Sequence, residues 1–386
     1  MNLKFEFTAP PKIIFGAGSS REVSALAKGF GNRALLVTGG NVRRAEKLLT
    51  EFSAGGITTR IFQAPGEPEI ATIEDGVVFA KKGNCDVVIS FGGGSVVDAG
   101  KAIAAMMTND GELLDYLEII GHGKPLTKPS APFIAIPTTA GTGSEVTRNA
   151  VLGSPQRKLK VSLRSPLILP RAAVVDPELT CDLPPTLTAS TGLDALTQLI
   201  EPFVCSRANP MTDNFCVEGT RRAARSLREA VFNGKNKSAR EDMAMASLFG
   251  GLALANAGLG AVHGFAGPIG GSFPAPHSAV CAALLPHVMA MNLRALRERE
   301  PRSPALNRYD RVAALLTGHP NATADAGVEW VRQLVADLPF RRLGTYGVKA
   351  EHVAGLVDKA THASSMKANP IALTQAELAE TLRLAL

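Results

Sequence analysis

Asp194 and Gln198 stand four residues apart in the segment STGLDALTQLIEPF, residues 190–203, which has the pattern of a helix. Residues four apart share one face of a helix. A carboxylate and an imidazole at this spacing bind a metal ion from a single helix. Because glutamine takes the second position here, three interpretations are open: a metal site, a weakened metal site, or a helix with two polar residues.

Two of the seven histidines, His263 and His277, flank the segment GFAGPIGGSFPAP. We predict this segment to be a loop of small residues between two apolar helices. Small residues leave space, and two imidazoles beside a cleft can bind a metal. From the residues alone, ligation and a structural role are equally open for this pair. His287, within LLPHVMAMN, is predicted to be a hydrogen-bonded core histidine.

A run of three glycines follows the apolar segment CDVVISF and precedes the helical pattern VVDAGKAIAAMM. Glycine lets the backbone approach a ligand closely, and the start of a helix attracts phosphate groups. We predict that this turn binds a pyrophosphate, although the GxGxxG fingerprint is absent; a tight turn without a ligand is the alternative. The residues of the predicted cradle are Gly92, Gly93, Gly94 and Ser95.

A second loop of small residues, PTTAGTGSEVT, follows another apolar strand. Ligands of open α/β sheets bind at the carboxyl ends of strands, so this loop is predicted to take part in the same site. The hydroxyl side chains that it offers are Thr138, Thr139, Thr142 and Ser144.

The elements that must position these residues change character along the chain. In the first half, apolar runs such as RALLVTGG, TTRIF and APFIAIP alternate with helical patterns, which predicts a parallel sheet covered by helices on both faces. From about Leu187 the pattern is helical for most of the remaining chain. We predict an α/β dinucleotide-binding domain in residues 1–180 and an all-α domain that binds metal and substrate in residues 181–386, with the boundary near Asp182–Pro185.

Composition excludes several classes of protein. The net charge of +6 is a mild excess over 386 residues, aromatic residues make up 5%, and basic residues do not cluster with them, which argues against nucleic acid as a partner. Five cysteines without a CxxC pair predict reduced thiols and a cytoplasmic location. The run AVCAALLPHVMAMNL is interrupted by Pro286 and His287 and is predicted to be too short to cross a membrane.

Taken together, the motifs resemble the iron-containing (metal-dependent, group III) alcohol dehydrogenase family over nearly the whole chain. The matching segments are KIIFGAG, GGGSVVDAGKA, IPTTAGTGSEVT, DPELTCDLPPTLTASTGLDALTQLIE, GAVHGFAGPIGGSFPAPHSAVCAALLPHVMAMN and ANPIALTQAELAETLRLAL. The resemblance implies a dehydroquinate synthase-like fold with an active site in the cleft between the two domains. It also implies a homo-oligomer, such as a dimer.

The resemblance assigns residues to two sites. The implied cofactor contacts are Gly93, Gly94, Ser95, Thr138, Thr139, Thr142 and Lys160, to which we add Gly92 and Asp98 from the glycine-rich segment. The implied metal positions are Asp194, Gln198, His263 and His277. No residue is assigned as a general acid or base.

This sequence departs from the family pattern at three positions. Gln198 replaces a histidine ligand, and an uncharged amide oxygen is a poor substitute for imidazole toward Fe²⁺ or Zn²⁺, so we expect weak metal retention. Gly267 replaces a histidine found in many members, which removes a proton relay. Gly39 replaces an aspartate that binds the adenosine ribose; with Arg43 and Arg44 nearby, this favours NADP(H) over NAD(H), and surface-exposed arginines are the alternative.

We therefore predict an NAD(P)-dependent oxidoreductase that interconverts a small alcohol and its aldehyde or ketone, with a divalent metal, Fe or Zn, polarising the substrate oxygen. Three alternatives stay open at this point. They are a maleylacetate reductase-like enzyme acting on an oxo acid, a cyclising lyase like dehydroquinate synthase, and a nucleotide-binding protein with a degenerate metal site.

Overall fold

A computed structural model describes residues 4–386 of the chain, which divide into two compact units. An α/β unit comprises residues 8–139 and 143–180. A helical unit comprises residues 181–386 together with two short segments, residues 4–7 and Ala140–Thr142.

Six parallel strands form the main sheet of the α/β unit, and two further strands form an antiparallel hairpin. The strands are β1 (Ile13–Phe15), β2 (Arg33–Thr38), β3 (Thr58–Gln63), β4 (Val87–Gly92), β5 (Phe133–Pro137), β6 (Asn149–Ser154), β7 (Leu159–Arg164) and β8 (Ala172–Val175). The spatial order in the sheet is β1-β8-β5-β4-β2-β3, and β6 pairs with β7.

Helices cover both faces of this sheet. They are α1 (Val23–Lys28), α2 (Glu46–Ala54), α3 (Ile70–Lys82), α4 (Gly94–Thr108) and the short α5 (Leu113–Tyr116). Successive side chains of β2 point to opposite faces: Leu35 packs in one apolar cluster with residues of α3 and α4, and Leu36 packs in another with residues of α1 and α2. The prediction of a parallel sheet buried on both faces is confirmed.

The hairpin of β6 and β7 is absent from the sequence-based prediction. Its turn passes through Pro155–Arg157 and Lys158, whose φ of 50° is in the left-handed region. Alternate residues of β6 are buried, as expected for a strand with one covered face.

The helical unit confirms the predicted all-α half. Its longer helices are α6 (Pro185–Val204), α7 (Pro210–Phe232), α8 (Lys237–Asn256), α9 (Ala261–Ser272), α10 (His277–Arg299), α11 (Pro304–Thr317), α12 (Ala324–Asp337), α13 (Val353–Thr361) and α14 (Gln375–Leu384). α6 is buried continuously from Thr188 to Val204. A helix that is buried on all sides lies at the centre of its unit, so each polar side chain in this stretch requires a partner.

The predicted loop between His263 and His277 is wrong. Most of GFAGPIGGSFPAP belongs to α9, which continues past Pro268, and only a short connection precedes α10. Val262, Phe265 and Ile269 are all fully buried in the core of the unit. This packing stabilises a helix despite glycines and a proline that disfavour it.

The prediction that the apolar run around Pro286 is too short to cross a membrane is also wrong. Within the described residues, α10 has the length and composition of a membrane span, and α8 with α9, bent by 96°, would add a second. However, 83% of the apolar window of α10 is buried inside the protein, as is typical of a core helix.

Candidate functional site

Four side chains able to bind a metal converge in the helical unit. Asp194 comes from α6, His263 from α9, and His277 and Cys281 from α10. One atom from each lies within 4.8 Å of an atom from every other. We call these four residues the donor cluster.

Four of the six separations within the donor cluster are nearly equal. Asp194 Oδ1 lies 3.6 Å from His263 Nε2 and 3.7 Å from His277 Nε2. Cys281 Sγ lies 3.8 Å from His263 Nε2 and 3.7 Å from His277 Nε2. The centre of a regular tetrahedron with edges of about 3.7 Å lies about 2.3 Å from each corner, close to the bond lengths of zinc to sulfur and nitrogen.

Asp194 gives the strongest indication that the donor cluster fits a cation. Its side chain is 0% exposed, and neither carboxylate oxygen has a hydrogen-bond partner, since 3.6 Å to an imidazole is too long for one. Burial acts to raise the pKa of Asp194, but His277 and His263 outweigh it, so the pKa lies below its usual value. A buried carboxylate without hydrogen bonds and beside three further metal-binding groups fits a divalent cation.

Glu201, which is not among the residues predicted from the sequence, fixes the orientation of His263. Its Oε2 lies 2.6 Å from His263 Nδ1, and its Oε1 accepts a hydrogen bond of 2.8 Å from the Val262 N–H. With Nδ1 engaged, Nε2 of His263 is directed toward the donor cluster, as in the carboxylate–histidine–metal arrangements of many metalloproteins. Glu201 stands seven residues after Asp194 on the same helix face, and this spacing could have indicated it.

Gln198 is also buried, with 1% exposed. Its Nε2 donates a hydrogen bond of 3.1 Å to the carbonyl oxygen of Gly141. Its Oε1 is buried and has no hydrogen-bond partner. The amide nitrogen is therefore committed to the protein, whereas the amide oxygen is available to a ligand or a water molecule.

Gly267 lies one turn after His263 in α9. A Cβ atom at this position would meet nothing within 4 Å. The space that a side chain at this position would fill is therefore open in this chain.

The predicted nucleotide cradle lies in the α/β unit at the ends of three adjacent strands. Thr38 pairs with Phe91, and Gly92 pairs with Pro137. The residues that follow these strands, including Gly39 and Thr138, therefore emerge side by side at the carboxyl edge of the sheet. α4 begins at Gly94 with Gly93 as its N-cap, so its first N–H groups, which have no partner within the helix, are also at this edge.

Glycine is required at the turn into α4. A Cβ on Gly92 would lie 2.6 Å from Val96 Cβ, and one on Gly93 would lie 3.3 Å from Thr139 Cγ2. At Gly39 the nearest atom would be Val96 Cγ2 at 3.7 Å, an ordinary contact. The turn is therefore packed too closely against Val96 and Thr139 for a larger residue at Gly92 or Gly93, whereas a side chain is tolerated at Gly39.

Arg44 extends across the same edge of the sheet. Its Nη2 donates a hydrogen bond of 2.8 Å to the Leu179 carbonyl oxygen, and its Nη1 lies 3.4 Å from Thr138 Oγ1. The structure thus brings this guanidinium close to a predicted cofactor residue. Arg43 is exposed.

The remaining predicted cofactor residues have protein partners. The Asp98 carboxylate accepts hydrogen bonds from Ser144 Oγ, from Lys101 Nζ at 3.2 Å and from the Val151 N–H at 3.0 Å. It thereby joins α4 to β6, and its direct contact with a cofactor stays a prediction. Lys160, on β7, pairs with Glu67 at 2.5 Å. Thr142 belongs to the helical unit.

Two family models together match almost the entire chain. The model of iron-containing alcohol dehydrogenase matches residues 10–177, and that of the C-terminal part of the Fe-containing alcohol dehydrogenase family matches residues 188–386. The chain belongs to the iron-containing alcohol dehydrogenase family. The motif-based assignment of the family is therefore confirmed.

Relatives of this iron-containing alcohol dehydrogenase match over nearly its full length. Alcohol dehydrogenase 4 of Schizosaccharomyces pombe is 37% identical over 96% of this chain and 87% of its own length. NAD-dependent methanol dehydrogenase of Bacillus methanolicus is 33% identical over 98% of this chain and 99% of its own. The crystal structure of a 1,3-propanediol oxidoreductase superposes with a TM-score of 0.91 at 34% identity, covering 100% of both chains. The predicted fold class and the predicted enzyme class, an oxidoreductase acting on CH–OH groups, are confirmed.

Proposed function

We propose that this alcohol dehydrogenase interconverts a small alcohol and its aldehyde or ketone, with a nicotinamide cofactor bound by residues 1–180 and a divalent metal bound by residues 181–386. The buried carboxylate of Asp194, without a hydrogen-bond partner and beside His263 and His277, carries the proposal. A divalent metal held by these residues supplies Lewis acidity toward the oxygen of an alcohol or carbonyl substrate.

The residues of the chain prepare both sites before substrate arrives. Glu201 holds His263 in the tautomer that leaves Nε2 able to bind. The side chain of His277 is 35% exposed, whereas that of Asp194 is 0% exposed, so the donor cluster opens toward solvent on the side of His277. In the α/β unit, the first N–H groups of α4, which follow Gly93, have no partner within the helix and could bind a pyrophosphate.

No side chain of the donor cluster is proposed as the general base, because all four are metal-binding groups. The position of the family's relay histidine is Gly267, where a side chain is lacking and space is open. We therefore propose that the alcohol proton passes to water in this space. This differs from enzymes with a relay histidine, whose rates follow the titration of that imidazole.

We further propose a preference for NADP(H). Gly39 places no carboxylate beside the adenosine ribose, and the Arg44 guanidinium lies at the same edge of the sheet. A 2′-phosphate would find a cation and no repelling acid there. Steady-state kcat/KM with NADP⁺ and with NAD⁺, measured on one alcohol, tests this preference, and a higher value with NAD⁺ contradicts it.

The activity itself is tested with short primary alcohols and diols, and with their aldehydes in the reverse direction. The enzyme is measured as purified, after removal of metal by a chelator, and after addition of Zn²⁺ or Fe²⁺. We expect turnover that chelation abolishes and metal restores. Nucleotide binding without turnover of any of these substrates would instead support a nucleotide-binding protein, and metal-independent reduction of an oxo acid would support the maleylacetate reductase-like alternative.

We also propose a cytoplasmic homo-oligomer. The five cysteines, all within the described residues, form no disulfide, which suits a reducing compartment. Light scattering coupled to size-exclusion chromatography measures the assembly, and a monomeric mass contradicts the proposed oligomer.

A further inference from the structure

Cys281 is the member of the donor cluster that the family pattern does not supply. It stands one turn after His277 in α10, so the two share a helix face. Its side chain is 0% exposed, and its sulfur lies 3.8 Å from His263 Nε2 and 3.7 Å from His277 Nε2. A buried cysteine in a core usually packs against apolar groups, whereas this sulfur faces two imidazoles and lies within 4.8 Å of a carboxylate oxygen.

We propose that Cys281 binds the metal as a thiolate, so that the ion is held by one carboxylate oxygen, two imidazole nitrogens and one sulfur. The inference deepens the proposed function and rests on it for the presence of a metal; the substrate oxygen would bind as a fifth ligand, an expansion of coordination that zinc allows. Four of the six separations lie between 3.6 and 3.8 Å and the other two are within 4.8 Å, which is compatible with a tetrahedral arrangement. The position at its centre therefore reaches all four atoms at ordinary bond lengths.

The charge of the site supports the same conclusion. A divalent ion bound by Asp194 and two neutral imidazoles keeps one positive charge among its direct ligands, and the amide of Gln198 cannot neutralise it; the Glu201 carboxylate faces the ion only through His263. A thiolate at Cys281 supplies the second negative charge, and a coordinated thiol gives up its proton. Cys281 thus compensates for the imidazole lost at Gln198, and metal retention is strong instead of weak.

A thiolate also changes which metal the site prefers. Soft sulfur ligands favour Zn²⁺, and a tetrahedral arrangement with mixed nitrogen and sulfur ligands is typical of it. We therefore expect zinc, and not iron, to be the ion retained through purification.

Cobalt substitution tests the ligand directly, without relying on turnover. Co²⁺ bound by a thiolate shows a sulfur-to-metal charge-transfer band in the near ultraviolet. We expect this band in the wild-type protein, and we expect it to be absent in Cys281→Ala, with zinc affinity lower by at least about tenfold. Cys216→Ala is the matched control, because Cys216 is equally buried in the same unit but is not part of the donor cluster, and it should keep both band and affinity.

X-ray absorption at the zinc edge of the wild-type protein needs no variant and covers the case in which Cys281→Ala fails to fold. One sulfur at about 2.3 Å is expected. A shell of nitrogen and oxygen alone, or a charge-transfer band that persists in a folded Cys281→Ala, overturns the inference. Metal-dependent alcohol turnover without sulfur ligation would contradict the inference and leave the proposed function intact. Sulfur ligation without any turnover would support the inference and contradict the proposed function.

Discussion

Glu201 provides the sharpest test of how the protein prepares its metal site, because it contacts a member of the donor cluster without belonging to it. The carboxylate is 5% exposed. One oxygen lies 2.6 Å from His263 Nδ1, and the other accepts the Val262 N–H at 2.8 Å. Substitution Glu201→Gln keeps the shape and removes the charge.

The expected magnitude follows from these contacts. A hydrogen bond to a charged group stabilises by about 1.5–3 kcal/mol, and the loss of a carboxylate behind a metal-binding histidine typically weakens metal binding about 10–100-fold. A glutamine carbonyl oxygen can still accept a hydrogen bond from one of the two N–H groups. We therefore expect zinc affinity to fall about tenfold to thirtyfold, which lies within the 10–100-fold range typical of such substitutions. The value of kcat/KM at limiting zinc should fall in parallel.

Competition with a chromophoric chelator measures the affinity, and thermal unfolding with and without zinc separates positioning from folding. A positioning role lowers the stabilisation that zinc provides, whereas a purely structural role lowers the stability of both forms equally. Glu218→Gln is the control, because the side chain of Glu218 is 37% exposed and pairs with arginines at the surface. Such exposed ion pairs contribute little to the free energy of unfolding. Zinc affinity in Glu201→Gln within twofold of wild type would refute the reasoning.

Three further predictions concern the α/β unit. Gly39→Asp, which the 3.7 Å contact with Val96 allows, should shift the ratio of kcat/KM for NADP⁺ over NAD⁺ toward NAD⁺ by about tenfold or more; an unchanged ratio would place the adenosine ribose elsewhere. Gly92→Ala puts a Cβ 2.6 Å from Val96 and should abolish dinucleotide binding in fluorescence titrations while zinc binding persists, whereas normal nucleotide affinity would contradict the predicted cradle. Burial raises the pKa of Glu145 from 4.5 to about 7, so the folded protein keeps a proton that the unfolded chain loses, and stability falls as pH rises from about 4.5 to 7, by at most about 3 kcal/mol. The free energy of unfolding, measured in urea across this pH window, should fall in the wild-type protein and fall less in Glu145→Gln. An equal dependence on pH in the two proteins would contradict the prediction.

The sheet was predictable because its central strands carry an uninterrupted apolar signal. β4 and β5 are buried on both faces, and such strands appear in sequence as runs of Val, Ile and Phe. α9 was not predictable in this way, because its glycines and Pro268 are typical of a loop. Its helical form depends on burial of Val262, Phe265 and Ile269 against neighbouring helices, which no local pattern shows.

Part of the donor cluster could likewise be predicted from the sequence, and part depended on how the helices pack. The resemblance to the family indicated three of its members, since they occupy positions that the motifs align. Cys281 could be recognised only when α10 was known to place it one turn from His277 with its sulfur facing His263. Glu201 likewise required knowledge that α9 begins beside α6, so that a carboxylate seven residues from Asp194 could reach Nδ1 of His263.

The polar face of α6 shows why these residues must belong to a ligand site. Asp194, Gln198 and Glu201 lie in a stretch that is buried on every side. Leaving a buried charge unpaired costs about 3–5 kcal/mol, a large part of the total stability of about 5–15 kcal/mol that a domain has. Glu201 offsets the cost of burying its charge through His263 and Val262, whereas Asp194 makes no hydrogen bond and has only the imidazoles of His263 and His277 at 3.6 and 3.7 Å. A bound cation is the partner that would stabilise this carboxylate, so folding of the helical unit and loading of its metal should be thermodynamically coupled.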